Sequence, residues 1–184
     1  MAARTGMSTL ISTWRRLVDD KGTAVWTDDE AQEILDMHRI DFWAELLVSV
    51  PKIMPGGSIN DLAYLCNYKN LEGTASGSSA WRLYDAVGAN ASNYTMDPYT
   101  GLVTFTVNQA GSARYLDGRS FSMNAAAAQA WRERMAKTSS RYHVSSDGQS
   151  LARNQWFDHC MKMAEHYASL SEPVIVEFER TDLA

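Results

Sequence analysis

Arg114-Tyr115-Leu116-Asp117-Gly118-Arg119-Ser120-Phe121-Ser122-Met123-Asn124-Ala125-Ala126-Ala127-Ala128 is where the chain changes character. Its first residues, Arg114 to Leu116, are β-prone. Ser122 is a good N-cap for a helix from Asn124 onward, and the four alanines have the highest intrinsic helix propensity. Met123, Ala127, Ala130, Arg134 and Met135 then outline one side of a helix that ends near Thr138. Its small alanines let a neighbouring helix approach closely.

Upstream, from Ile40 to about Ser120, the sequence is rich in Gly, Ser, Thr, Asn and aromatics. Pro51 and Pro55-Gly56-Gly57 break any helix there. Strand-like pieces alternate with turns: Leu62 to Tyr68, Trp81 to Val87, Leu102 to Val107 and Arg114 to Leu116. In Asp97-Pro98-Tyr99-Thr100-Gly101, Pro98 suits the first central position of a type I turn and Gly101 can take positive φ. Gly73 to Ser79 is a small-residue loop.

Two helices precede this region. Leu10, Ile11, Trp14, Leu17 and Val18 recur at helical spacing between Ser8 and Asp20, and Lys21-Gly22 stops them. Thr27-Asp28-Asp29-Glu30 is a capping-box signature, with acids placed for the helix dipole. It predicts a second helix to about His38 carrying Ala31, Ile34 and Leu35. Downstream, Asp147-Gly148 is a turn and Ser150 caps a helix from Leu151 to Leu170. Trp156, Cys160, Met163, Tyr167 and Leu170 repeat there at spacings of four and three. Pro173 ends it. Val174 to Arg180 is then a lone β-prone segment without a nearby hairpin partner, which suits pairing with a distant strand or a neighbouring chain.

At 184 residues the chain is one domain, or one domain with a large insertion. Hydrophobic residues make up 45% and charged residues 21%, a globular balance that argues against global disorder. Seventeen Lys and Arg against 22 Asp and Glu leave a net charge of −5. That argues against a dedicated nucleic-acid binder, which usually needs a basic face, but not against a protein that lets DNA slide past. Cys66 and Cys160 are too few for a disulfide framework and read as free thiols in a reducing compartment. Met1 to Gly6 lacks the apolar stretch of a signal peptide, and no apolar run approaches the roughly 18 residues of a membrane span. Composition thus predicts a soluble intracellular or particle-associated protein.

Local chemistry is sparse. His159 and His166 lie seven apart beside Asp158 and Glu165, without the i, i+4 pairing of a zinc site, and read as a polar flank. Cys160 and His159 point about 100° apart on a helix, so they form no dyad, and Cys160 falls in the apolar stripe. Pro55-Gly56-Gly57-Ser58 lacks the lysine and spacing of a P-loop. Trp14, Trp26, Trp43, Trp81, Trp131 and Trp156 are scattered and read as core or interface anchors rather than base-stacking platforms. Asn93-Tyr94-Thr95 matches a glycosylation acceptor without a secretion signal to support its use. A metal-dependent enzyme or binding domain would have to assemble its site from His38, His143, His159 and His166, far apart in sequence.

Several segments, in order, resemble the head-to-tail adaptor proteins of tailed bacteriophages, also called head-completion or neck connector proteins. Asp28-Asp29-Glu30-Ala31-Gln32-Glu33-Ile34-Leu35-Asp36 is similar to that family's early helix. Gly101-Leu102-Val103-Thr104-Phe105 is similar to its central strand. Tyr115 to Ala128 resembles the family's approach to a long alanine-rich helix, with Ser122 where Asp often stands. Val144 to Gln155 resembles the last loop and helix start, and Val176-Glu177-Phe178-Glu179-Arg180-Thr181-Asp182 the ending.

The expected architecture is α+β: a helical bundle of about four helices formed by 1–39 and 121–172, a β-rich insertion over 40–120 between the second and third helices, and a C-terminal strand and tail over 173–184. The resemblance implies a structural virion protein, not an enzyme, with no catalytic residue, metal or cofactor. It implies an adaptor ring of about twelve identical subunits docked on the portal protein, assembled in the host cytoplasm and located in the virion neck. Tail or stopper proteins attach to it, genomic DNA passes through its lumen without sequence-specific binding, and no membrane is involved. Val174, Ile175, Val176, Phe178 and Arg180 are the expected partner-binding residues, by strand addition to the portal or the next subunit. A neighbouring neck protein, stopper or tail completion, is the alternative of the same class.

Overall fold

The computed structural model describes residues 4–55, 57–73, 80–139 and 150–171. Along them run α1 (Ser8–Leu17), α2 (Asp28–Asp36), β1 (Arg39–Leu46), β2 (Val48–Ile53), β3 (Ile59–Leu65), β4 (Arg82–Asp85), β5 (Tyr94–Asp97), β6 (Leu102–Phe105), β7 (Arg114–Phe121), α3 (Met123–Ser139) and α4 (Ser150–Leu170). All strand pairs are antiparallel and form two sheets, ordered β1-β7-β4 and β2-β3-β6-β5.

Two hydrophobic cores result. One gathers Leu10, Ile11 and Trp14 of α1, Ile34 and Leu35 of α2, the alanine face and Trp131 of α3, and Cys160 and Ala164 of α4. The other lies among the strands and contains Phe42, Leu47, Tyr64, Cys66, Leu83, Met96, Val103, Phe105 and Leu116. The β7–α3 junction joins them, because Leu116 belongs to the sheet core and Phe121 to the helical one. Ala126, Ala127 and Ala130 are fully buried, and without bulk they let α3 and α4 pack along their length.

This arrangement overturns the expectation of a helical bundle carrying a β insertion. Seven strands in two antiparallel sheets occupy the centre of the chain, with four helices beside them among the described residues. The strands close a core of their own, so they are not an appendage on a bundle. α1 and α2 have only 10 and 9 residues, and of the helices only α3 and α4 pair extensively.

Local chemistry explains the element ends. α1 stops at Leu17, three residues before the expected Asp20, because Asp19 takes a left-handed φ of 50° and turns the chain. Asp20 then points inward. Its carboxylate pairs with Arg15 and accepts from Val25 N–H at 3.1 Å and Trp26 N–H at 3.4 Å. Arg15 also donates to the carbonyl oxygens of Gly22 and Trp26 and to Asp28, so one guanidinium clasps the whole α1–α2 loop. Trp14 and Trp26 meet edge to face beneath it, with centroids 5.4 Å apart, a geometry worth about 1 kcal/mol beyond area burial. At the start of α2, Thr27 Oγ1 accepts from Glu30 N–H and Glu30 Oε2 from Thr27 N–H at 2.7 Å, a complete capping box. Those hydrogen bonds hold the Glu30 carboxyl below its usual range.

Gly101 takes φ +74° and its N–H donates to Asp97 O at 2.9 Å, closing the turn between β5 and β6. Gly118 sits mid-strand in β7 because the Phe42 ring covers it: a Cβ there would lie 2.9 Å from Phe42 Cζ.

Candidate functional site

Two surfaces stand out once the strands are in register. The first is apolar. Ten of the fifteen exposed large hydrophobic side chains among the described residues fall between Met37 and Leu65. Leu47 explains why they cluster. It is buried in the sheet core and donates its N–H to Arg114 O at 2.9 Å, pinning the chain where it leaves β1, an edge of one sheet, and enters β2, an edge of the other. Cross-strand partners share a face. Val48 opposite Leu65 and Leu102, and Val50 opposite Ala63 and Thr104, therefore form the outer face of the second sheet, while Ser49, Tyr64 and Val103 face its core. Val48 is 56% exposed. At the hairpin tip the pair Ile53 and Ile59 is 75% and 60% exposed, with Met54 beside it. Pro51 is tolerated in β2 because an edge strand has one side on which no N–H is needed for pairing.

The second surface is the outer face of the β1-β7-β4 sheet, and it is polar. Asp41 opposes Arg119, Arg82 opposes Asp117, and Tyr84 opposes Tyr115. The acids and arginines, with Trp43, Ala80, Trp81 and Gly118, border a shallow groove of about 410 Å³. Next to core-facing Phe42, Trp43 points outward, where its indole is 78% exposed, and a bulge in β1 lies between Phe42 and Glu45. The bulge needs Ala44 at φ 50°, a conformation alanine rarely adopts. Asp117 Oδ1 holds it there, accepting from Ala44 N–H at 2.7 Å and from the Tyr84 hydroxyl at 2.9 Å. Burial and that carboxylate raise the Tyr84 phenol above its ordinary pKa.

An ion network ties this groove to the helices. Arg119 lies 3.6 Å from Asp41 and 3.5 Å from Glu72. Glu72 is buried and also binds Arg4, which reaches Asp36 of α2 at 2.6 Å. Paired first with Asp36 and then with Glu72, the Arg4 guanidinium holds its proton still more firmly than usual.

The residues singled out from the sequence fare differently. Val174, Ile175, Val176, Phe178 and Arg180 lie outside the described residues, as do His143 and residues 144–149. His159 stacks on Trp156 and meets Trp131 edge to face, and His166 packs against Tyr167. His38 is partly buried with no hydrogen-bond partner on Nε2, and desolvation followed by the charge of Arg132 lowers its pKa. Among the described residues, no three His, Cys, Asp or Glu side chains come close enough to hold a metal ion. Cys160 is buried in the helical core, where burial raises its thiol pKa, and Cys66 is pushed up to about 11. Among the described residues no helix is long and apolar enough to cross a membrane.

Sequence reasoning misses both surfaces. In the sequence Trp43 is only one of several scattered aromatics, and the register that brings Asp41 to Arg119 depends on contacts across 78 residues of chain, invisible to local pattern. No protein-family model matches the chain, and neither a curated protein nor a solved structure does.

Proposed function

We propose that this chain is a structural component of a tailed-phage neck, a head-to-tail adaptor whose copies form a ring on the portal, extend the DNA channel and receive the tail. The observation that carries this reading furthest is the apolar outer face and hairpin tip of β2 and β3. Val48, Val50, Leu65, Ile53, Met54 and Ile59 are exposed together on one edge of a sheet. Exposed apolar surface concentrated in this way marks an interaction face. A ring needs heterologous contacts, which an apolar edge can make with a different patch on the next subunit. The acidic net charge suits a lumen past which phosphates move without sticking. The ordered run of sequence segments supports a place in the neck, with a neighbouring stopper or tail-completion protein as the alternative.

Electron microscopy of the purified chain mixed with the portal protein encoded alongside it tests this reading. A ring stacked coaxially on the portal's narrow end is expected. Free portals beside unattached small particles would overturn it.

A further inference from the structure

We propose that the outer face of the β1-β7-β4 sheet is a binding site for a neutral saccharide, with Trp43 as its stacking platform. This face is distinct from the apolar edge of β2 and β3, and the saccharide site does not rest on the neck assignment. Three observations carry it.

The first is the aromatic platform. An indole 78% exposed on a strand is costly in apolar hydration, and the backbone beside it is strained and braced. Ala44 occupies the left-handed region, Asp117 fixes its N–H, and Tyr84 fixes Asp117. Backbone strain kept in place by its surroundings gathers at functional sites. A platform so fixed loses little freedom when a ligand stacks on it. The C–H face of a pyranose ring is the kind of flat, weakly apolar surface an indole covers.

The second is charge. The groove is bordered by two carboxylates, Asp41 and Asp117, and two guanidiniums, Arg82 and Arg119. A phosphate-bearing ligand would meet the two acids, and a cationic one the two arginines. A neutral polyol gains from both, since its hydroxyls donate to carboxylates and accept from guanidiniums. These groups are also braced. Arg82 donates through Nε to Asn90 Oδ1 at 2.8 Å and through a terminal nitrogen to Gly88 O at 2.9 Å, while Arg119 leans on Asp41 and Glu72.

The third is shape. The groove is open and shallow, and its volume of about 410 Å³ falls within the range of roughly 300–1,000 Å³ typical of small-molecule sites. Between Asp117 and Arg119 the groove is bordered by the backbone of Gly118, whose Cβ direction points to the opposite, core face at Phe42.

The test uses the full chain and four soluble probes: maltohexaose, cellohexaose, xylohexaose and chitohexaose, each at about 10 mM, a concentration that detects even weak binding. Saturation-transfer NMR and fluorescence titration should show at least one of them bound. Trp43→Ala should weaken that binding by about tenfold or more while leaving the circular dichroism melt unchanged, because the indole is exposed. Trp156→Phe, on α4, should bind as the parent does. Absence of saturation transfer from all four probes would overturn the proposal and leave this face to a protein partner. Binding that Trp43→Ala leaves intact would overturn it too. Neither result bears on ring formation.

Discussion

Replacing Asp20 by alanine removes the acid at the centre of the α1–α2 clasp. The Asp20 side chain has no exposed surface, and that of its partner Arg15 is 10% exposed. Breaking a buried ion pair from one side leaves an uncompensated charge in the core and costs about 3–5 kcal/mol. The N–H groups of Val25 and Trp26 lose their acceptor as well, at about 1–3 kcal/mol each if water cannot reach them. Two contacts work the other way: Asp28, more than half exposed, and the Trp26 carbonyl still hold the guanidinium, each at 2.8 Å. The net loss should therefore lie near the pair's own cost, about 4 kcal/mol, a large part of the roughly 5–15 kcal/mol that stabilises a domain. For a chain of this length that corresponds to a fall in Tm of about 8–16 °C. Urea unfolding followed by far-ultraviolet circular dichroism reads it directly. The double variant Arg15→Met with Asp20→Leu should recover the part of the loss that comes from the uncompensated charge, since apolar residues of similar volume replace buried ion pairs at little cost, but not the part from the Val25 and Trp26 N–H groups. A loss below about 1 kcal/mol for Asp20→Ala would refute the reasoning, because only a hydrated, weakly coupled pair behaves that way.

Gly101→Ala should destabilise the protein by about 2–4 kcal/mol, because φ +74° is strained for alanine and the new Cβ would lie 2.5 Å from the Tyr68 carbonyl oxygen; an unchanged thermal melt would contradict this. His38 has a folded-state pKa below its ordinary value of about 6.5, so the unfolded chain takes up the proton first. Stability should fall as pH drops through 6.5 and level off below the folded pKa, and His38→Gln should flatten that slope in pH-dependent urea unfolding. With its thiol pushed up to about 11 by burial, Cys66 should react slowly with a disulfide reagent at pH 8 in the native protein and rapidly in urea, as followed by absorbance.

Local signals are legible where one residue type settles the backbone. The capping box at Thr27, the turn at Gly101 and the helix start after Ser122 are all readable from side-chain chemistry alone. β1 and β2 are not legible as strands. The bulge at Trp43 and Ala44 breaks the alternation of β1, and Pro51 reads as a breaker until β2 is known to be an edge. β7 extends past Leu116 to Phe121 through Gly118, whose place depends on the Phe42 ring lying over it from 76 residues away. The expected bundle fails for a related reason. The apolar faces of α1 and α2 pack as their spacing implies, while in α4 Cys160, Met163 and Tyr167 join the helical core but Trp156 and Leu170 are exposed; nothing local shows that the strands between the helices bury enough of their own side chains to close a second core. The groove is illegible for the same cause, since its acids and arginines meet only through register.

The apolar outer face of β2 and β3 is the claim on which the proposed assembly stands. Its most direct test is electron microscopy of portal mixtures with the Val50→Lys and Leu65→Lys double variant beside the parent chain. Both residues are exposed on the outer face, so the variant should remain folded, checked by circular dichroism. Coaxial rings on the portal are expected for the parent and none for the variant. Rings of equal occupancy with both proteins would contradict the claim.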